Sequence, residues 1–177
     1  MVVRLPGVVT PEWGRHPTHT ASAATCGSSP ARCTTTRRPP AVTGFQHLSI
    51  TATDLDASVA WYQRVRGLEP LPTTFPHHGS EQSGHAVLLR KPDQGWAIGI
   101  HRHATNPGTP ADETATGLDH AAWAVAGRAD LEAWAAWLED MEVAHSGVIG
   151  VTDPLPYSVV VFRDPDNIQL ELIHLPG

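Results

Sequence analysis

The second half of this sequence repeats the plan of its first. His47 and His120 sit in alternating segments, FQHLSIT and LDHAAWAV, and Trp61 and Trp134 follow those histidines at the same distance. The closing segments also align: AIGIHRH lies over QLELIHL, with Ile98 on Leu170, Gly99 on Glu171 and Ile100 on Leu172. Two copies of one β-α-β-β-β plan are therefore expected, at about 44–104 and 117–175.

Each copy carries the same signals in the same order. In the first, Leu48 and Ile50 alternate with His47, Ser49 and Thr51, which is strand periodicity. Asp54 or Asp56 then caps a helix with an apolar stripe of Leu55, Val59, Tyr62 and Val65, and Gly67 suits its left-handed end. Strands follow near 68–74, at 85–91 and at 96–103, the last two joined by Pro92-Asp93-Gln94-Gly95. In the second copy, 118–125 is a strand and Asp130 caps a helix striped by Leu131, Trp134, Leu138 and Met141. Strands near 145–149, at 157–163 and at 168–175 complete it, with Asp164-Pro165-Asp166-Asn167 as the last turn.

Residues 1–42 do not share the plan. They hold both cysteines, six of the sixteen prolines, and five arginines against the single acid Glu12. With no apolar period, this stretch is expected to be a disordered tail. It carries a faint transit-peptide flavour, and it is also the kind of stretch a misplaced start codon adds. The net charge of −6 divides into +4 here and −10 in the body from 43 to 177. An acidic body argues against nucleic acid as a partner. No apolar run of membrane length occurs, nor does a secretory core, so a cytoplasmic location is expected. Cys26 and Cys33 lack zinc-motif spacing. The body has no cysteine, which excludes thiol nucleophiles and disulfides from its function.

The repeat places three chemically notable side chains in equivalent positions. His47 and His120 occupy the first strand of each copy. Glu171 stands mid-strand among Ile168, Leu170, Leu172 and Ile173, where a carboxylate is costly unless paired or bound to a cation. Period-two alternation turns all three away from the helices. Two imidazoles and a carboxylate on such a face suit a divalent metal with open positions. The plainer account has the histidines as ordinary strand residues and Glu171 paired with an arginine such as Arg163.

The segments HLSITATDLDASVAWYQRVRGLE, LDHAAWAV and FRDPDNIQLELI resemble the vicinal oxygen chelate superfamily. That group includes glyoxalase I, fosfomycin-resistance thiol transferases, extradiol dioxygenases, an epimerase and bleomycin-binding proteins. The resemblance spans roughly 44–175. It implies an α+β fold in which tandem β-α-β-β-β modules form an open, barrel-like mixed sheet with helices outside. It also implies a metal held by His47, His120 and Glu171, of identity open among Zn, Mn, Ni, Fe and Co. A homodimer with the site shared between subunits is implied too, although pairing of the two modules within one chain is the alternative.

Departures from the pattern separate the members. The fourth ligand usual in glyoxalase I would fall on Gly99, which has no side chain. His101, two residues along on the same face, is the candidate acid/base. Extradiol dioxygenases place a tyrosine where this chain has Val161, with Tyr157 nearby. Ser49 matches a substrate-contacting hydroxyl of the fosfomycin enzymes, but no Lys or Arg follows Glu171. His77, His78 and His85 are candidates to border the cavity, and Phe75, Trp96 and Tyr157 to line it. Trp61, Trp134 and Trp137 are expected to pack. The expectation is a metal-dependent enzyme (lyase or isomerase, transferase, or dioxygenase) acting on a small oxygenated metabolite or xenobiotic. A metal-free sequestering protein of the bleomycin-resistance type is the alternative, and an extradiol-type dioxygenase a lesser one.

Overall fold

A computed structural model describes residues 38–77 and 81–176. The expected tail, with Cys26 and Cys33, falls almost wholly outside these residues, as does His78. Within them the repeat is plain. The first module runs β1 (His47–Thr51), α1 (Leu55–Arg66), β2 (Glu69–Pro76), β3 (Gly84–Arg90) and β4 (Ala97–His103). The second runs β5 (His120–Ala124), α2 (Arg128–Asp140), β6 (Ile149–Val151), β7 (Tyr157–Arg163) and β8 (Gln169–His174). Each module is one four-stranded sheet, ordered β1-β4-β3-β2 and β5-β8-β7-β6, and the two sheets are not closed into a barrel. In both, the first strand pairs parallel with the last and the other pairs are antiparallel, so the sheets are mixed.

Alternation decides which face each strand buries. Ile50, Ile98, Ile100 and Leu89 are buried on one face of the first sheet, and Leu170, Leu172, Val160 and Phe162 on one face of the second. These faces share a single core with Tyr62 and Val65 of α1 and Leu131 and Leu138 of α2. Burying such side chains contributes roughly 1.5–3 kcal/mol each. The opposite faces carry the functional candidates and remain largely uncovered.

Capping sets the helix limits. Asp54, of the two candidates, caps α1, its Oδ1 accepting from the Ala57 N–H at 3.1 Å. Gly67 ends the helix in the left-handed region, with φ 62°, where a Cβ is disfavoured. For α2 the expectation is corrected: the N-cap is Gly127, and Asp130 lies inside the first turn. Its Oδ2 accepts from the Gly127 N–H at 3.0 Å, so the carboxylate serves the helix start from the third helical position.

The turn between β7 and β8 ties the modules together. Asp166 accepts from the Thr53 N–H at 2.8 Å and from the Ser58 hydroxyl at 2.9 Å. Asp164 accepts from the Tyr62 hydroxyl at 3.0 Å, and from the N–H groups of Asp166 and Ile168 at 3.0 and 2.8 Å. Both carboxylates are nearly inaccessible to solvent, and every named acceptor has a donor, as burial requires. Trp137 donates its indole N–H to the Val65 carbonyl at 2.9 Å, and Trp61 stacks on Phe162. Trp61 and Trp134 pack against the core, as expected, whereas Trp137 is partly exposed. No helix among the described residues is long and apolar enough to cross a membrane.

Candidate functional site

The uncovered face of the first sheet follows from register. Ser49 pairs with Gly99 and Thr51 with His101, while Leu88 and Ala86 stand opposite Gly99 and His101 on β3. His47, Ser49 and His101 consequently border one cavity of about 250 Å³, with Phe75 among its walls. The position that lacks a carboxylate is filled by its neighbours. A Cβ at Gly99 would come within 2.6 Å of Ser49 Oγ and 3.4 Å of His101 Nε2. Partial burial, followed by the nearby imidazoles of His103, His77 and His47, lowers the His101 pKa below its ordinary value. This favours the neutral ring, which can accept a proton or bind a metal.

The second sheet offers a different pair. His120 Nε2 lies 3.8 Å from Glu171 Oε2 on the uncovered face, and Gln169 Nε2 donates to Glu171 Oε1 at 3.0 Å. The pairing of Glu171 with Arg163 does not occur. Arg163 instead reaches Glu113, at 2.5 and 3.0 Å, and the Asn167 carbonyl at 2.9 Å. Asp119 accepts from His120 Nδ1 at 2.5 Å, and this bond, reinforced by Glu171, raises the His120 pKa. A carboxylate on Nδ1 orients a ring so that Nε2 faces a ligand, an arrangement common in metal-binding histidines. Val161 stands directly opposite Glu171, so an apolar side chain occupies the place where an extradiol site has its tyrosine.

The predicted residues thus gather in two places. His47, Ser49 and His101 share the first sheet's face, and His120 and Glu171 the second's. Within one copy, His47 does not join His120 and Glu171 in a group of ligand distance. Among the described residues the group that meets that criterion is another one: ring nitrogens of His77, His101 and His103 all lie within 4.8 Å of one another. The rings of His77 and His103 meet edge to face at 4.0 Å, and those of His101 and His103 are near parallel at 5.9 Å. Sequence reasoning placed His77 beside the cavity but missed the triad. The available signal was the spacing of His101 and His103, two apart on one strand face. Trp96 lies against Trp123, ring centres 5.5 Å apart and tilted by 42°, away from this cavity.

The comparisons with known proteins follow from this architecture. Residues 44–172 match the Glyoxalase/Bleomycin resistance protein/Dioxygenase superfamily. A glyoxylase/bleomycin resistance protein/dioxygenase domain from Frankia sp. EAN1pec is 26% identical, with TM-score 0.66, over 77% of this chain and all of that one. A glyoxalase family protein from Enterococcus faecalis is 23% identical, with TM-score 0.59, over 74% of this chain and 97% of that one. A lactoylglutathione lyase from Agrobacterium tumefaciens has TM-score 0.54 at 22% identity, over 77% of this chain and 96% of that one. At those lower identities the likeness is one of fold. No curated protein matched. The chain belongs to the Glyoxalase/Bleomycin resistance protein/Dioxygenase superfamily, also known as the vicinal oxygen chelate superfamily.

Proposed function

We propose that the protein is a metal-dependent enzyme acting on a small oxygenated metabolite or xenobiotic through two neighbouring substrate oxygens. The observation that carries this reading is the freedom of Glu171, which Arg163 leaves alone and which faces His120 at 3.8 Å. Two donors at that separation fit neighbouring positions on one ion. Two imidazoles and a carboxylate suit Zn, Mn, Ni, Fe or Co. The bound metal would act as a Lewis acid on the substrate oxygens.

The third donor is His47 of a second copy. β1 and β5 are the edge strands of their sheets, and His47, Ser49, His120 and Ala122 are all exposed on them. Bare edges beside uncovered faces call for a cover, and a symmetric dimer supplies it by laying one copy's first sheet on the other's second. In that arrangement His101 receives or returns a substrate proton, Ser49 hydrogen-bonds the substrate, and Phe75 excludes water. The Agrobacterium relative's name, lactoylglutathione lyase, makes 2-oxoaldehyde–thiol adducts the first substrates to assay.

The test is reloading of chelator-stripped protein followed by elemental analysis. About one divalent ion per chain is expected, falling below about a tenth in His120→Ala and Glu171→Gln. Mixing His47→Ala with Glu171→Gln should restore about a quarter of the wild-type metal after subunit exchange, because about half the dimers are mixed and each of those has one intact site. No restoration would place the site within one chain. A metal-free protein whose small-molecule binding ignores Glu171→Gln would be a sequestering module instead. The imidazole triad supports a second reading, with the ion on His77, His101 and His103. In that case His103→Ala abolishes binding and His120→Ala does not.

A further inference from the structure

A cleft on the helix side of β5 has chemistry unrelated to these ligands. Arg66 closes α1 and is only 7% exposed. Trp123 covers its guanidinium at 4.3 Å from the ring centre, and Trp134 at 5.3 Å. Its Nε and Nη1 are sealed from water and meet no acceptor. Burial lowers its pKa to about 10. Aromatic faces offset part of the cost of desolvating a cation, but they do not replace an anion.

The surroundings sharpen the imbalance. Arg66 and Lys91 line a cavity of about 560 Å³ with Trp96, Trp123 and Trp134, and no carboxylate lines it. A smaller cavity of about 290 Å³ is also lined by Arg66, Lys91 and Trp134. Neither cation takes part in an ion pair among the described residues. In a body of charge −10, two cations beside three indoles with no carboxylate on the wall make a locally basic cleft. The larger volume is that of a small-molecule site.

We infer that this cleft binds a small organic carboxylate with a flat apolar body. Arg66 and Lys91 neutralise the carboxylate, whose oxygens accept from the guanidinium where the protein itself offers no acceptor. The indoles of Trp96, Trp123 and Trp134 receive the flat body. Trp123 shares its face of the sheet with Leu172, whereas His120 and Glu171 stand on the other face. The cavity reaches the edge of β5 at Ala122, but the groups that would hold this ligand are distinct from the proposed metal ligands.

Isothermal titration calorimetry on the full chain in excess EDTA tests it, with 1-naphthoate as probe and 1-naphthalenemethanol and acetate as controls. 1-Naphthoate should bind at least about tenfold tighter than the neutral alcohol, and acetate at least about a hundredfold more weakly than 1-naphthoate. Arg66→Leu should weaken 1-naphthoate about thirtyfold or more and leave the alcohol within about threefold. Lys91→Gln, on the cavity wall, should weaken 1-naphthoate three- to tenfold by rough estimate and guards against a folding defect in the first variant. Equal affinity for acid and alcohol, undiminished binding in Arg66→Leu, or no binding at all because a second copy covers the cleft would each overturn the inference.

Discussion

The two modules share a skeleton but differ in what they do with it. In the first, Ser49 pairs with Gly99, and the space above the glycine belongs to Ser49 and His101. At the equivalent register in the second, Ala122 pairs with Glu171, whose carboxylate faces His120. The turns differ as well. Pro92-Asp93-Gln94-Gly95 closes on a backbone bond from the Gln94 N–H to the Lys91 carbonyl at 3.1 Å, and Asp93 is exposed. In Asp164-Pro165-Asp166-Asn167 the two carboxylates are buried against α1 of the other module. Duplication therefore preserved the strand register and released the side chains. One module supplies the joint and a carboxylate, the other a cavity and imidazoles.

The largest consequence concerns the turns. Asp164→Ala removes the acceptor of three donors, one of them the buried Tyr62 hydroxyl. Leaving those groups unpaired should cost at least ~3 kcal/mol. Asp93→Ala, at the equivalent exposed turn, should stay within ~0.5 kcal/mol. Urea unfolding of both variants measures the contrast. Equal losses would mean that the second turn is no more a joint than the first.

Asp164 also imposes a pH dependence on stability. Burial raises its pKa to about 6 in the folded protein, although its donors pull the other way. The unfolded value is near ~3.9. A raised folded pKa gives a stability contribution that is full below the unfolded value and is lost as pH rises through the folded one. Stability should thus fall by up to ~2–3 kcal/mol between about pH 4 and pH 6 on this account. Glu113 works in the opposite sense, because hydrogen bonds from Arg163 hold its pKa down at about 2. The difference between wild type and Asp164→Asn isolates the Asp164 contribution. Two parallel pH–stability curves would remove the carboxyl's role.

Much of this was legible in the sequence because the relevant signals are local or periodic. Alternation gave the faces of His47, Ser49 and Glu171, Gly67 gave a helix end, and the duplicated spacing gave the module plan. What was not legible depends on contacts distant along the chain. Nothing near Arg163 announces Glu113, which comes from the segment between modules and frees Glu171. The triad needs His77 from beyond β2 to meet two residues of β4, a meeting that the sheet alone determines. Asp130 was misread as a cap because a glycine can occupy that place while the carboxylate reaches back from within the helix. Arg66 lies where the apolar stripe of α1 ends, and only the two tryptophans from the second module explain its burial.

A smaller effect tests the occupied space at Gly99. Gly99→Ala should cost ~1 kcal/mol by crowding Ser49 Oγ. In a Ser49→Gly background the same change should cost nothing or stabilise the strand. The coupling, read from a double-mutant cycle in urea, should be ~1 kcal/mol. Glu171→Ala, at the equivalent place on the second sheet, loses the Gln169 bond and the partly exposed pair with His120, and should cost no more than ~1 kcal/mol. A Gly99→Ala cost that persists without Ser49 would assign the restriction to the backbone and not to the side chain that now fills the carboxylate's place.

The smallest expected effect bears most directly on the proposed metal site. Arg163→Gln breaks a partly exposed pair with Glu113, whose contribution solvent screening keeps small. If Glu171 is independent of Arg163, with which it makes no direct contact, metal loading in Arg163→Gln should equal that of wild type. If loading falls, Arg163 orients the β8 face through its contact with Gln169 at 3.3 Å, and the carboxylate's freedom belongs to a wider network. The two outcomes separate a ligand held by its strand alone from one held by its neighbours. Conservative replacement by Lys distinguishes them further, since a restored charge rescues the network and leaves an independent ligand unchanged.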